Sequence, residues 1–397
     1  MSAREVLDAL YLFMNQPASR PGLLLVTRNF PPLWGGMERL NWHIADELTH
    51  AYVVTVIGPT GAAARAPAGV TVIEVPLRPL WRFLLLATWR ALRAARRSRP
   101  AVVLAGSGLT APMAWLAARF SGAGAAAYVH GLDLTVPHTA YRVLWRPALR
   151  RMDCIIANSS ATAGLARDIG IAQARLHIVH PGVEMPSLDS TARARFRAAH
   201  GLGERPVLLS VGRLTARKGL REFVSDVLPH IVAQRSDVQL LVVGDAPVDA
   251  LYAQAQSPAS IQAAADAAGV GQHVHFLGTR FGEELADAYA ASDVHVFPVR
   301  ELPNDPEGFG MVAVEAAAHG LPTVAYATGG VVDAVGEGIS GRLVAPGDGA
   351  GFARATLECL TESFNLESVL AFAAQFAWPQ FGARVLQNLS SLDAETP

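Results

Sequence analysis

The chain has 397 residues, 51% of them hydrophobic and 7% aromatic, with a formal net charge of −1. That length is too great for one ordinary core and calls for two domains, while the two cysteines, Cys154 and Cys359, lie too far apart in sequence to suggest a disulfide framework or a zinc site. The charge is unevenly spread: residues 1–200 hold 22 arginines against 11 carboxylates and the remainder holds 11 basic residues against 23 carboxylates, so the two halves suit different partners.

No apolar run reaches the length that crosses a membrane and no signal peptide is visible, so the expected location is a reducing cytoplasm. Residues 6–14 form a short apolar stretch broken by Asp8, read as an extra N-terminal helix. From there strand-like and helix-like segments alternate. Apolar runs at 23–27, 52–57, 70–75, 101–104, 125–129, 154–157 and 177–179 read as buried strands, with a helix predicted over 38–49 and others between later strands. Around 186–205 the pattern turns polar, a linker with a short helix. The rhythm then restarts, with strands at 207–211, 240–243, 274–277, 294–297, 323–326 and 341–344 and helices such as 219–234 and 283–291. Strands separated by helices pair in parallel. The predicted fold is therefore α/β: two Rossmann-like doubly wound domains facing a cleft. The expected boundaries are 1–195, 196–375 and a last segment, 376–397, whose helix packs back on the first domain.

Several stretches of the first half carry candidate chemistry. A loop over 28–37 holds Pro31, Pro32, Gly35 and Gly36 before the first helix. Within 78–99, Arg82, Arg90, Arg93, Arg96 and Arg97 fall on one sector of a helical wheel, with Trp81, Leu84, Leu85 and Leu92 mostly on another. This is either an outer helix laying its apolar stripe on a sheet, or a basic amphipathic helix for an anionic membrane surface. Gly106-Ser107-Gly108-Leu109-Thr110-Ala111 follows a strand and opens a helix, with Asp133 25 residues beyond its second glycine, the pattern of a dinucleotide fingerprint. It comes after several strand–helix units instead of the first, which weakens an NAD-linked reading. His130 ends a strand, where a lone histidine can serve packing as readily as chemistry, and Asp133 is a rival acid or base.

The second half is more specific. Val207–Val211 runs into Gly212-Arg213, with Lys218-Gly219 following before a helix. The chain holds 32 arginines and a single lysine, Lys218. A compact ammonium retained amid so much arginine suits a small mobile point charge that meets phosphate, although a surviving surface lysine is the plain alternative. Arg213 and Lys218 at one strand end can flank a diphosphate. Further on, Glu307-Gly308-Phe309-Gly310-Met311-Val312-Ala313-Val314-Glu315 joins a strand to a helix N-terminus through a glycine-rich turn. Free amides there favour anions, and two carboxylates suit hydroxyls, one set on a sugar and one on a ribose. The plain alternative is a capped helix with one buried, paired glutamate.

Taken with Gly244-Asp245, Phe276-Leu277-Gly278, the strand from Ser292-Asp293 to Pro298, and Gly329-Gly330, these motifs stand in the order and spacing of family 4 glycosyltransferases. The second domain resembles that family over nearly its whole length. The first resembles it more loosely, through Gly35-Gly36, His130-Gly131 and His180-Pro181-Gly182-Val183. The resemblance implies a retaining enzyme of the GT-B fold. It implies that Arg213 and Lys218 grip the donor diphosphate, Glu307 faces the donor sugar beside the amides of Gly308, Phe309 and Gly310, and Glu315 holds the ribose. Gly278 and Arg280 would border the base, Gly35 and Gly36 would approach the phosphate from the opposite domain, and His130 would touch the transferred sugar. Glu184 stands where many members carry Asp, and the loop 300–306, with Glu301, Asn304 and Asp305, is long and polar.

No Asp-x-Asp occurs and no His, Cys and carboxylate cluster has metal-ligand spacing. The expectation is a metal-independent, cofactor-free hexosyltransferase of the mannosyltransferase type in lipid or surface-polysaccharide assembly. Its partners would be a nucleoside diphosphate sugar (GDP-mannose or a UDP-hexose), a glycan or lipid-linked acceptor, and an anionic membrane met through 78–99, with no nucleic acid. A nucleotide-sugar hydrolase or epimerase of the same fold and a non-catalytic membrane scaffold are the alternatives.

Overall fold

The computed structural model describes residues 20–247, 254–362 and 364–393, and the helix expected within 6–14 lies outside them. One sheet contains β1 (Gly22–Val26), β2 (Val53–Pro59), β3 (Thr71–Val75), β4 (Val102–Ala105), β5 (Gly124–Val129), β6 (Cys154–Ala157) and β7 (Leu176–Ile178), ordered β3-β2-β1-β4-β5-β6-β7. The other contains β8 (Val207–Val211), β9 (Gln239–Val243), β10 (Val274–Gly278), β11 (Val294–Phe297), β12 (Thr323–Tyr326) and β13 (Gly341–Val344), ordered β10-β9-β8-β11-β12-β13. Every strand pairing within them is parallel, with Leu24 facing both Thr55 and Val103 across the first sheet. The reason lies in composition: β4, β6, β9, β11 and β12 are buried at every position, as strands covered on both faces must be. Each predicted strand is present, with ends moved by no more than a residue or two.

The helices that bear on function are α1 (Gly36–Leu48), α2 (Leu80–Ser98), α3 (Ala111–Ser121), α4 (Ser160–Asp168), α5 (Ala192–Ala199), α6 (Gly282–Ala291), α7 (Met311–Ala318) and α8 (Trp378–Asp393). Strand order reverses between β1 and β4 in the first sheet and between β8 and β11 in the second. Loops leaving the carboxyl ends at such reversals diverge and leave a crevice for ligands. Here the two reversals face each other, because Gly36 meets Met311 and Gly308 meets the His130 carbonyl across the lobes.

The lobes are tied together at their far side. Helix α8 buries Trp378, Phe381, Val385 and Leu389, spaced as one helical stripe, against α1 and the first sheet. Burying four such side chains stabilises the junction by roughly 1.5–3 kcal/mol each before entropy is charged. Beside it, the Val183 amide donates to the Phe376 carbonyl at 2.7 Å, so the two crossings between lobes run side by side. A Cβ on Gly182 would sit 2.1 Å from the Trp378 ring, which is why the crossing carries glycine there.

Two expectations change. The 195/196 boundary falls inside α5, whose Arg193, Arg195 and Arg197 bind Asp293, Asp287 and the carbonyls around Ala291 in the second lobe. All of α5 thus packs with the second lobe. The apolar face predicted around Trp81, Leu84, Leu85 and Leu92 is not the buried one. Helix α2 buries Phe83, Ala87, Ala91 and Ala95, the three alanines admitting close approach to α3 and the sheet, and leaves Trp81, Leu85 and Trp89 exposed.

His43 on α1 stacks on Trp378 at 3.7 Å, with its Nδ1 buried and without a hydrogen-bond partner among the described residues. Burial, aided by Arg39, lowers its pKa to about 4. The unfolded chain therefore binds more protons than the native one below about pH 6.5, and stability falls as pH drops toward 4. Denaturant titrations at pH 7 and pH 5 should show wild type losing about 1–2 kcal/mol more than His43→Phe, which keeps the stacking and cannot charge.

Candidate active site

The centre of the crevice is the carboxylate of Glu307. Lys218 Nζ lies 2.8 Å from its Oε2 and 4.7 Å from the Phe297 ring centroid, and the Arg217 guanidinium binds the same oxygen. Arg217 Nε also lies 3.1 Å from Asp305 Oδ1. Burial, then the guanidiniums of Arg217 and Arg213, push the Lys218 pKa well below the usual lysine range, against the pull of Asp305 and Glu315. A diphosphate entering beside this ammonium would add negative charge and favour its protonated form. Arg213 is exposed and makes no ion pair or hydrogen bond with any described residue, so its guanidinium is free to meet an anion.

Local backbone explains this placement. After β8, residues 216–218 form a short 3-10 turn and Gly219 takes φ +69°. A Cβ there would sit 2.0 Å from the Pro298 carbonyl oxygen, so the chain after Lys218 lies directly against the exit of β11. The Glu307–Gly308 segment is held from beneath by Gly329-Gly330: the Gly330 amide donates to Glu307 O at 2.9 Å, and a Cβ on Gly330 would lie 2.1 Å from Gly308 O. Phe309 does not face the crevice. Its ring is buried beside His180 and Phe376, leaving its backbone for a ligand.

Glu315, on α7, lies in the same pocket and is doubly engaged. Tyr289 Oη donates to Oε2 at 3.2 Å, and Arg39 of α1 forms an ion pair with Oε1 from the opposite lobe. Other bridges join the lobes: the Ser160 amide and hydroxyl donate to Asp333 at 2.5 and 2.7 Å, and His180 Nε2 lies 3.3 Å from the same carboxylate.

On the first lobe, Gly35 and Gly36 are exposed at the start of α1, with Gly36 facing the Met311 sulfur. His130 is half-buried at the end of β5; its Nε2 lies 3.2 Å from the Gly106 carbonyl oxygen, so that nitrogen carries hydrogen and donates. Asp133 accepts from the His130 amide at 3.1 Å. The dinucleotide fingerprint fails here for a steric reason. A Cβ on Gly106 would meet Asn41 and Thr27, and one on Gly108 would meet Asp133 and Tyr141, so protein side chains fill the space a pyrophosphate needs. At the other end of the crevice, Gly278 opens onto free space with φ +70°. Arg280 is exposed and 3.6 Å from Glu284, and Phe281 faces Trp34 of the first lobe with ring centroids 5.9 Å apart.

Two family models match the chain, "Glycosyl transferases group 1" over residues 205–362 and "Glycosyltransferase Family 4" over residues 34–185. The GDP-mannose-dependent alpha-(1-6)-phosphatidylinositol monomannoside mannosyltransferase of Mycolicibacterium smegmatis is 30% identical over 391 residues, spanning 93% of this chain and 98% of that protein. The chain belongs to glycosyltransferase family 4. A D-inositol 3-phosphate glycosyltransferase from a Mycobacterium species is 37% identical over 171 residues, 43% of this chain and 36% of that protein. Anabaena HepE, crystallised with UDP, shares the fold at a TM-score of 0.77 and 20% identity, covering 93% of this chain and 100% of its own.

The transferase thus brings Arg213, Lys218, Glu307 and Glu315 to one crevice, with Gly35, Gly36 and His130 opposite. The crevice also holds residues that sequence reasoning passes over. Arg217 is hidden by its neighbour Lys218, and its adjacency to Arg213 and Lys218 was the available signal. Arg39 and Tyr289 lie in helices whose patterns mark only burial. Asn158, beside Gly308 with a buried Oδ1 lacking a partner among the described residues, follows β6 with no motif around it. Gly219→Ala should destabilise the enzyme by about 2–4 kcal/mol in urea titrations, from left-handed strain and the collision with Pro298 O; a change under 1 kcal/mol would mean this contact is slack.

Proposed function

We propose that the transferase moves a hexose, with mannose the first choice, from a nucleoside diphosphate sugar to a lipid-linked or surface-polysaccharide acceptor, with retention and without a metal ion. The observation that carries this reading is the Lys218–Glu307 pair, 2.8 Å apart where the two strand-order reversals face each other. Lys218 and Arg213 would grip the diphosphate as it departs, and Glu307, released to the donor, would accept hydroxyls of the sugar. In front-face displacement the C1–O bond to phosphate breaks as the bond from the acceptor oxygen forms on the same face. The acceptor proton passes to the departing phosphate oxygen. Preorganised cations are suited to the charge that grows on that oxygen.

The choice of mannose rests on relatives whose names specify GDP-mannose, with a UDP-hexose as the alternative in view of HepE bound to UDP and glucose. Gly35, Gly36, Gly308 and Gly310 would supply close backbone approach, Glu315 the ribose contact, Gly278 and Arg280 the base rim, and His130 a contact to the transferred sugar. Incubation with GDP-mannose and a phosphoinositol mannoside, read by mass spectrometry and anomeric NMR, should show an added α-linked hexose. Lys218→Ala should lower kcat at least a hundredfold with little change in melting temperature. Wild-type turnover in that variant would remove Lys218 from the site.

A lipid acceptor also accounts for α2. Trp81, Leu85 and Trp89 are 64%, 64% and 54% exposed at four-residue spacing, with Arg93 over the Trp89 ring and Arg82, Arg96 and Arg97 exposed on the same helix. No helix among the described residues is long and apolar enough to cross a membrane, so docking would be peripheral, on the inner face of the cytoplasmic membrane. The full chain should float with anionic phospholipid vesicles and not with zwitterionic ones. Trp81→Ser/Leu85→Ser/Trp89→Ser should abolish flotation while keeping nucleotide binding; retained flotation would place the contact elsewhere.

A further inference from the structure

The ion pair between Arg39 and Glu315 links two lobes through the very carboxylate assigned to the donor ribose. Glu315 is held on its own lobe by Tyr289, whose hydroxyl takes Oε2 and whose side chain is 1% exposed. Oε1 is taken by a guanidinium that belongs to the other lobe. Tyr289 is a permanent partner, since it is buried against α7. Arg39 is not: its side chain is 42% exposed and reaches across the crevice from the first turns of α1. The helix that carries it begins at Gly36, beside Met311, the first residue of α7.

We propose that Arg39 sets donor affinity by occupying the ribose site. Its guanidinium donates to the carboxylate oxygen that a ribose hydroxyl needs, so nucleotide binding and the Arg39–Glu315 pair exclude each other. The inference rests on the donor reading above and adds to it a residue of the opposite lobe that competes with the substrate. A vicinal diol presents two hydroxyl donors to a carboxylate, and each oxygen of Glu315 already accepts one hydrogen bond, Oε1 from a guanidinium that reaches it across the crevice, where the ribose would enter. Entry of the ribose therefore costs the ion pair, and that cost appears in the dissociation constant of every ribonucleotide the site accepts. Because the pair joins two lobes, its loss also removes one of the contacts that hold α1 against α7. Other polar bridges between the lobes, among them Asp333 with Ser160 and His180 and the Thr135 hydroxyl with the Asn304 carbonyl, involve no proposed donor residue.

Calorimetric titration of the full chain with GDP and with UDP tests this in four proteins: wild type, Arg39→Ala, Glu315→Gln and the double variant, with Arg39→Gln as a second form should the alanine variant fold poorly. Arg39→Ala should bind the preferred nucleotide on the order of threefold to tenfold more tightly than wild type. Glu315→Gln should bind more weakly, and adding Arg39→Ala to it should give no gain. With the 2′,3′-dideoxy form of the same nucleotide the gain from Arg39→Ala should vanish, a dependence that a purely structural role would not produce. Unchanged or weaker binding in Arg39→Ala, or a gain that persists with the dideoxy nucleotide, overturns the competition while leaving the donor reading intact. Absence of GDP and UDP binding in all four proteins overturns the donor reading and the competition with it.

Discussion

A carboxylate nine-tenths buried needs a compensating charge, and the crevice is arranged around that requirement at Glu307. Its side chain is 10% exposed, and two cations from the loop after β8, Lys218 and Arg217, share one of its oxygens. Removing a charge from water costs several kcal/mol unless partners replace the lost hydration. The pairing is therefore a condition for placing a carboxylate in the crevice at all. It also ties the β8 exit to the β11 exit, the two loops that diverge at the strand-order reversal. Lys218 and Arg217 thus balance the charge of Glu307 by pairing within the protein.

That arrangement repeats at the periphery of the crevice. Glu315 is matched by Arg39, and Asp333 by Ser160 and His180, each acid on the second lobe and each partner on the first or on the crossing segment. The basic first half and acidic second half of the chain thus acquire a local meaning where they meet. Distant exposed charges are screened within about 10 Å, so only the pairs at the crevice gain much from the asymmetry. The apolar junction through α8 joins the lobes at the far side, and polar contacts cross the crevice.

The strands were legible because burial on both faces leaves an unbroken apolar run, a signal that local composition carries without reference to partners. The glycine motifs were legible for a related reason: Gly219 and Gly330 stand where backbone approaches backbone, and no other residue fits. On α2 the wheel left open whether Trp81 and Leu85 lie on the sheet, and close packing against α3 selects Ala87, Ala91 and Ala95 there instead, since small side chains let two helices approach. The dinucleotide fingerprint, already weakened by its place in the chain, matches in spacing alone, since Asn41, Asp133 and Tyr141, brought from other elements, crowd its glycines.

Alone, the sequence determined the two α/β lobes, the succession and parallel pairing of their strands and the motifs that carry Lys218, Glu307 and Glu315, because periodicity, turn chemistry and motif spacing are properties of short stretches. Only the tertiary structure decided that Arg217 shares Glu307 with Lys218, that Tyr289 and Arg39 hold Glu315, and that Asp333 reaches Ser160. Those partners lie up to 276 positions apart. Their meeting depends on how two sheets face each other, and no local pattern encodes that distance.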